Sequence, residues 1–442
     1  MNMKQKATIL LVGCGMALLS HDGVADESLT YRRFRVLEQD GRVVATAPLP
    51  TEVVPLWARG VSPRQYDWTS QRHDAYPYFE DPIPFVIPPE KDSGEPLYSH
   101  NHCPDITWLP NGDLLVIWFS TVREQGTEMT ILASRLRAAR RTWDPASEFF
   151  KADDRNMTGS SLFHDGHGVL HHVNGMGSEG VEGWADLAML HRCSRDNGVT
   201  WSAARPISSG ANYRRRHQVI AGMKRTADGT LVQPCDATPG GEGATVLHSS
   251  RDGGRTWSDP GGDIRGIHAA LVELKDGRLL AFGRGQSING CLPMSLSSDM
   301  GKTWTYRASV FPPIGAAQRL VLMRLREGPL LFVSFTGMRS GARAMTFADK
   351  NGVDFQGVGL FAALSDDEGL TWPACRLLTP GERKYEVGPY FGAAVRRPAV
   401  IETTRTRGEV EGYLAATQTP DGVIHLVSSR LHYRFNLAWL RS

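Results

Sequence analysis

The chain has 442 residues and no block of basic residues; Lys+Arg 49 stand against Asp+Glu 47, for a net charge of +2. A nucleic-acid surface needs a concentrated positive footprint, so no nucleic-acid partner is expected. Cysteine is sparse, six in all, and no two form a C-x-x-C pair. Setting aside Cys14 leaves Cys103, Cys193, Cys235, Cys291 and Cys375, an odd set that allows at most two bridges. A fold of this size does not need them, so buried free thiols are expected. A convincing metal set is missing as well. His100-x-His102 puts two imidazoles on one strand face, but no matching Cys/His pair follows elsewhere. No metal and no cofactor are expected.

Long apolar runs are also absent. The uncharged stretch Ala7 to Ser20 is too short to span a bilayer, and Lys4 and Lys6 precede it. That layout is a secretory signal, which predicts a signal peptide over residues 1–25. Gly23-Val24-Ala25 is a small-residue cleavage site, while Leu11-Val12-Gly13-Cys14 resembles a bacterial lipobox. Either ending takes the protein out of the cytoplasm, as a secreted or periplasmic protein or an outer-membrane lipoprotein. The mature chain is expected to carry no transmembrane segment.

What is abundant is turn chemistry, with Gly 46 and Pro 26, and one motif in four copies. The copies run Ser194 to Trp201, Ser250 to Trp257, Ser297 to Trp304 and Ser365 to Trp372, all reading S-x-D-x-G-x-T-W. Their spacings of 56, 47 and 68 residues mark one structural unit used repeatedly, as in a propeller or an array. Each copy follows a short apolar, strand-like stretch. Asp196, Asp252, Asp299 and Asp367 can accept bonds from turn amides, glycine supplies a left-handed conformation, and the Trp buries a large surface. The motif reads as a hairpin staple rather than a catalytic device, since an active site needs one asymmetric set.

The motif resembles the Asp-box, or BNR repeat, of sialidase-like β-propellers. The resemblance covers roughly residues 95–442, and a worn fifth copy runs from Ser134 to Trp143. It implies a scaffold whose boxes sit on the blade periphery, away from the active site. A second repeat then counts the blades: apolar strand, Asp-Gly or Asn-Gly turn (Glu-Gly once), apolar strand. Six instances start near Ile106, Ser161, Val219, Leu271, Leu320 and Tyr413. The expected fold is all-β, a six-bladed propeller of four-stranded antiparallel blades with Asp-box hairpins, over residues 96–442. The gap 373–412 leaves a seventh blade open, or an insertion with Tyr385, Glu386 and Tyr390. Residues 26–95 read as an N-terminal arm, strand-like at Phe34–Leu37 and Arg42–Thr46, that packs on the propeller and can close its last blade.

A propeller's ligand site lies over the channel, at one end of the innermost strands. The residues just before those strands include His100, His102, Cys103, Asp105, Arg216, His217, His268, Gln318, Arg319 and Tyr413. Three blades offer a His in nearly the same register. His102, His217, His268 and Tyr413 are the candidates for proton transfer or nucleophilic attack. His100, Asp105, Arg216, Gln318 and Arg319 are the candidates for substrate binding, with arginine suited to bidentate recognition of a carboxylate or sulfate.

In true sialidases an Arg-Ile-Pro tripeptide opens the first inner strand, and its Arg helps clamp the substrate carboxylate. Here the tripeptide is His102-Cys103-Pro104. Tyr413 falls where that family has its nucleophile, Arg216 and Arg319 where it has the other clamp arginines, and Glu124 and Asp105 are stand-ins for its acid. The His-rich replacement is similar to another branch of Asp-box propellers, polysaccharide lyases that act on uronic-acid glycans. Beta-elimination needs a carboxylate binder, a base and an acid, and Arg, His and Tyr supply these. The resulting expectation is an exported enzyme cleaving an anionic oligo- or polysaccharide. Elimination stands ahead of hydrolysis by a sialidase-like exo-glycosidase, with a non-catalytic glycan-binding propeller as the other alternative. The sugar, the linkage and the oligomeric state are left open.

Overall fold

Short strands of Val, Leu, Ile and Phe, punctuated by Gly turns, fold into six four-stranded antiparallel sheets. The structure is a computed structural model and describes residues 28–71, 73, 75–183, 187–207, 218–236, 243–338, 343–387 and 400–442. The six sheets are the blades of a propeller, here blades I to VI.

Blade I is His100–Trp108, Leu114–Thr121, Thr130–Leu136 and Ser147–Phe150. Blade II is Ser160–His164, Leu170–Met176, Ala188–Ser194 and Arg205–Pro206. In blade III the inner strand is interrupted, with Gln218–Val219 and Lys224–Arg225 both pairing Leu231–Asp236, and Thr245–Ser250 lies outside them. Blade IV is Ile267–Glu273, Leu279–Arg284, Pro293–Ser297 and Thr305–Ala308. Blade V is Val321–Arg324, Leu330–Phe335, Leu360–Ser365 and Ala374–Leu377. Blade VI is Ala415–Gln418, Val423–Val427 and Leu431–Asn436, and its outer strand is Phe79–Pro84 from the N-terminal region. Pairing the two ends of the chain in one sheet removes an exposed edge and ties the ring shut.

The gap between the fifth and sixth inner hairpins adds no four-stranded sheet among the described residues. It carries a separate hairpin, Arg383–Glu386 with Val400–Thr403, which holds Tyr385 and Glu386. Tyr390 lies outside the described residues. The strand-like segments of the arm form a hairpin of their own, Arg33–Gln39 with Arg42–Leu49. It docks on blades I and II, where Thr46 Oγ1 donates to Ala204 O at 2.6 Å and Arg33 meets Glu148 at 2.7 Å.

The four boxes are built alike. In each, the Ser hydroxyl donates to the Asp carboxylate at 2.8 Å. The Thr amide donates to the same carboxylate at 2.8–2.9 Å in every copy. The box glycine is where one blade meets the blade before it: a Cβ on Gly198 would press Leu115 of blade I, and one on Gly369 would press Leu280 of blade IV. Repeated polar staples thus set the phase of each blade, and apolar contacts between blades supply the burial. The expected thiols are free: Cys103 and Cys235 are buried, and Cys193, Cys291 and Cys375 are partly so. Among the described residues, no helix is long and apolar enough to cross a membrane.

Candidate active site

Two inner strands break their register at corresponding places, and the breaks shape one end of the channel. The pairing of His100–Trp108 shifts between His102 and Asp105, and Cys103 there has φ +53°. The pairing of Ile267–Glu273 shifts between Ile267 and Ala270, and His268 has φ +50°. Such bulges re-aim side chains beside functional sites. Close cross-strand approach frames the second one, since a Cβ on Gly266 would lie 2.6 Å from Arg284 O. Tyr413 reaches the same place by another route. Gly412–Tyr413 pairs in parallel with Gln318–Arg319, ahead of blade VI's first strand, and so links the neighbouring blades V and VI.

The side chains meet around the Tyr413 hydroxyl. His268 Nε2 lies 3.0 Å from it, and Arg284 Nη1 donates to it at 2.8 Å. Behind His268, Nδ1 lies 2.8 Å from Asp236 Oδ2. Asp236 Oδ1 accepts the His268 backbone N–H at 2.7 Å and the Thr245 hydroxyl at 3.1 Å. On the other side, the His102 and Tyr413 rings have centroids 3.9 Å apart. Ser429 ties these two together, its Oγ accepting the Tyr413 N–H at 2.9 Å and meeting His102 Nδ1 at 2.7 Å.

Burial sets the protonation states. His268 is buried, which pulls its pKa below the ordinary value against the opposing pull of Asp236. Burial would raise Asp236, but His268 and its bonds outweigh that, and the carboxyl is held below its ordinary value. Asp236 is therefore the anion and His268 the neutral ring, with Nδ1–H facing the carboxylate and Nε2 free to accept from Tyr413. Burial pushes the Tyr413 phenol up to about 12, although Arg284 pulls the other way. The arrangement is a Tyr–His–Asp relay with a guanidinium on the phenol oxygen. It can take the phenol proton and stabilise the phenolate left behind.

Of the residues expected from sequence, His102, His268 and Tyr413 come together here. His100 sits behind them, 1 % exposed, its Nε2 3.3 Å from Glu124 Oε1. Glu124 is 35 % exposed at its side chain, which puts a carboxyl at the mouth. Three residues expected to bind substrate are engaged with the protein itself. Gln318 spends its amide on Gly337 O and Val410 O, each at 2.8 Å, and its Oε1 accepts the Gly315 N–H at 2.9 Å. Arg319 is 3 % exposed and donates to the backbone oxygens of Leu414 and Pro104. Asp105 is buried further down the channel, accepting from Ile106 N and Leu162 N at 2.9 Å. Arg216 and His217 lie outside the described residues, as does the expected signal segment 1–25 with Cys14.

Asp236, Arg284 and Ser429 escaped the sequence reading because it searched only the residues that open each first strand. Antiparallel hairpins return to the same mouth, so the ends of the second strands belong to it too. The pairs Gln218 with Asp236 and Ile267 with Arg284 follow directly from that register. Among the described residues, no group of three His, Cys, Asp or Glu side chains is placed to hold a metal ion.

The BNR repeat-like domain profile matches residues 112–426. No curated protein sequence matches the chain. Among solved structures, an intramolecular trans-sialidase from Ruminococcus gnavus in complex with oseltamivir carboxylate is similar, with TM-score 0.56 and 13% identity over 79% of this chain and 97% of that one. A sialidase from Streptococcus pneumoniae gives TM-score 0.55 and 12% identity over 80% and 70%. A protein of unknown function from Dyadobacter fermentans gives TM-score 0.53 and 13% identity over 83% and 99%. At these identities the likeness is one of fold.

Proposed function

The chain belongs to the BNR repeat-like family, and from that premise we propose that it is an exported enzyme cleaving an acidic glycan by β-elimination. The observation that carries this reading is the Tyr413 hydroxyl, held between His268 Nε2 at 3.0 Å and Arg284 at 2.8 Å, with Asp236 behind His268. The N-terminal Lys4, Lys6 and the apolar run after them support export.

In the proposed reaction, His268 takes the phenol proton on Nε2. Asp236 stabilises the imidazolium that forms, as an orienting carboxylate does in other relays. Arg284 stabilises the phenolate and can pair with the uronate carboxylate beside it. The phenolate removes the proton on the carbon next to that carboxylate. The electron pair of that C–H bond becomes a carbon–carbon double bond, and the bond to the glycosidic oxygen breaks. That oxygen leaves with the proton Tyr413 has just taken, and His268 then returns its proton to the phenolate, so the resting pair is restored and no water or oxidant is consumed. His102 and His100 occupy the side where a clamp arginine would stand, which suits a carboxylate held by imidazole N–H groups and one guanidinium.

Glu124 favours a second reading. A carboxyl at the mouth can protonate a leaving oxygen while Tyr413 attacks the anomeric carbon, which is hydrolysis through a covalent intermediate. The sialidase and trans-sialidase neighbours make that chemistry relevant on this fold. A non-catalytic binding propeller has no need of a base and a carboxylate behind its tyrosine.

The test is incubation of the purified protein with a panel of uronate and sialate glycans, reading enoyl absorbance and reducing ends together. Both signals rising together is the expected result. Reducing ends without absorbance move the chain to the hydrolase reading. Binding without cleavage across the panel overturns the enzyme reading.

A further inference from the structure

The channel has a second mouth, and its chemistry differs from the first. The inner strands carry the chain away from Tyr413, and their far ends surround a cavity of about 220 Å³. Walls come from blades I, II, III, V and VI, including Trp108, His164, Lys224 and Arg326. An apolar stretch that includes Ala270, Leu320 and Leu414 lines the channel between this cavity and the Tyr413 cluster.

Three donor-bearing side chains in this wall are not fully engaged among the described residues. His164 is 8 % exposed, and its Nδ1 accepts the Gly166 N–H at 3.3 Å. The ring proton therefore sits on Nε2. That Nε2–H is buried and meets no hydrogen-bond partner among the described residues. Lys224, partly buried, makes no side-chain hydrogen bond or ion pair among the described residues, and Asp105 is the charge that acts on it there. Arg326 gives its Nε to Gln418 O at 3.4 Å and lies over the Trp108 ring at 5.4 Å, which leaves both terminal nitrogens unused among the described residues.

Asp105 is the only acidic side chain in the described wall. Its oxygens are already occupied by Ile106 N, Leu162 N and Ser161 Oγ. The wall has three cations: Arg324 is paired with Glu368, Arg326 has Glu327 and Asp421 near it without a bond to either among the described residues, and Lys224 faces the committed Asp105. A buried donor left unmade is destabilising, and charge-assisted bonds to an anion would offset that.

We infer that this far mouth is a second binding site, which takes a small tetrahedral oxyanion, a sulfate or phosphate group, between His164, Lys224 and Arg326. The group is either free in solution or an ester on a sugar whose ring rests against Trp108. The inference is independent of the reaction at Tyr413.

Calorimetric titration of the full chain tests it, with sodium sulfate, sodium phosphate and glucose 6-sulfate against sodium chloride at matched ionic strength. Saturable binding of one oxyanion per chain, absent with chloride, is the expected result. Lys224→Met and Arg326→Gln each weaken it about tenfold, by removal of a charge-assisted bond, and Arg284→Gln leaves it unchanged. Should Lys224→Met fail to fold, Arg326→Gln at its solvent-exposed position carries the test alone. Tighter binding of glucose 6-sulfate than of sulfate assigns the site to an ester, and equal or weaker binding assigns it to the free ion. The inference is overturned if no oxyanion binds above chloride. It is equally overturned if Arg284→Gln removes the binding while the two far-mouth variants keep it.

Discussion

The outer hairpins and the inner channel mouth are built on opposite plans. In the four boxes the same Thr hydroxyl meets the same Asp oxygen at 2.6, 2.6, 2.6 and 2.5 Å. At the mouth no residue type recurs in that way: blade I supplies His102, blade III Asp236, blade IV His268 and Arg284, and blade VI Ser429. Tyr413 arrives from the link between blades V and VI. Repetition fits a scaffold, where every blade faces the same packing problem. Chemistry needs an asymmetric set, because proton donor, acceptor and charge must differ. The contrast predicts that changes at the mouth alter rate and spare stability, while changes in the boxes do the reverse.

Tyr413→Phe is the most severe way to press that contrast. It keeps the ring against that of His102 and deletes only the hydroxyl. We expect a loss of about 10⁴-fold in kcat on the cleaved glycan, at the upper end of what a general acid–base group contributes. The melting temperature should stay close to that of the parent. A variant that keeps most of its activity would remove Tyr413 from the reaction and with it the meaning given to the relay.

Trp201→Ala presses from the other side. Trp201 is 0% exposed, and its ring packs at 5.4 Å on Phe149 of blade I and at 4.5 Å over the Arg192 guanidinium. Its loss should cost roughly 3–5 kcal/mol of stability, the range for removing a large aromatic from a core. Chemical denaturation measures this, and the activity of the folded fraction should be unchanged. A variant with parental stability and lost activity would erase the distinction between the two regions.

Asp236→Asn has a smaller effect and a pH signature. Without the carboxylate, the imidazolium formed in the reaction loses its stabilising charge, and kcat should fall by about 10²-fold. The relay works with His268 neutral. Burial holds its pKa below the ordinary 6.5, so the acid limb of kcat/KM lies below 6.5. Asp236 opposes that burial, so its removal should move the limb to still lower pH while the plateau drops. A limb that moves upward, or a fall in rate with no shift, would show that His268 is not the base.

The fold was legible because its signals are local and repeated. Ser194 to Trp201 encodes a turn within eight residues, and the Asp-Gly pairs at Asp228-Gly229 and Asp276-Gly277 encode the inner hairpins. Tyr413, His102 and His268 were legible once those hairpins fixed where each inner strand begins. The rest of the site depends on pairing rather than on spacing. Arg284 matters because it lies opposite Ile267, and Asp236 because a bulge turns His268 toward it, and neither fact is written in a short window. The partners of Arg319 are hidden in the sequence for a related reason. Its type and place suit a clamp, but its donors are consumed by Leu414 O and Pro104 O, a contact 215 residues distant in sequence for the latter. The arm is expected to be able to close the last blade, but the segment that does so, Phe79–Pro84, does not read as a strand because it is Pro-containing and pairs with residues more than 300 positions away.

The smallest predicted effect lies in the boxes, where it separates a staple from a silent turn. Burial alone would raise Asp252, but the hydroxyls of Thr256 and Ser250 and the turn amides outweigh it and hold the carboxyl at about 2, against an ordinary 3.8. A carboxyl depressed by folding stabilises the native state above its unfolded value and loses that contribution as pH falls through the folded one. The group is largely in water, so solvent screening keeps the contribution below about 1 kcal/mol. Asp252→Asn should therefore lower the melting temperature slightly at neutral pH. The gap to the parent should close as pH falls from 3.8 toward 2, with activity at neutral pH unaltered. A gap that stays constant across that window would mean that the turn is held by shape alone. The charge on the box aspartate would then have no part in the repeated plan.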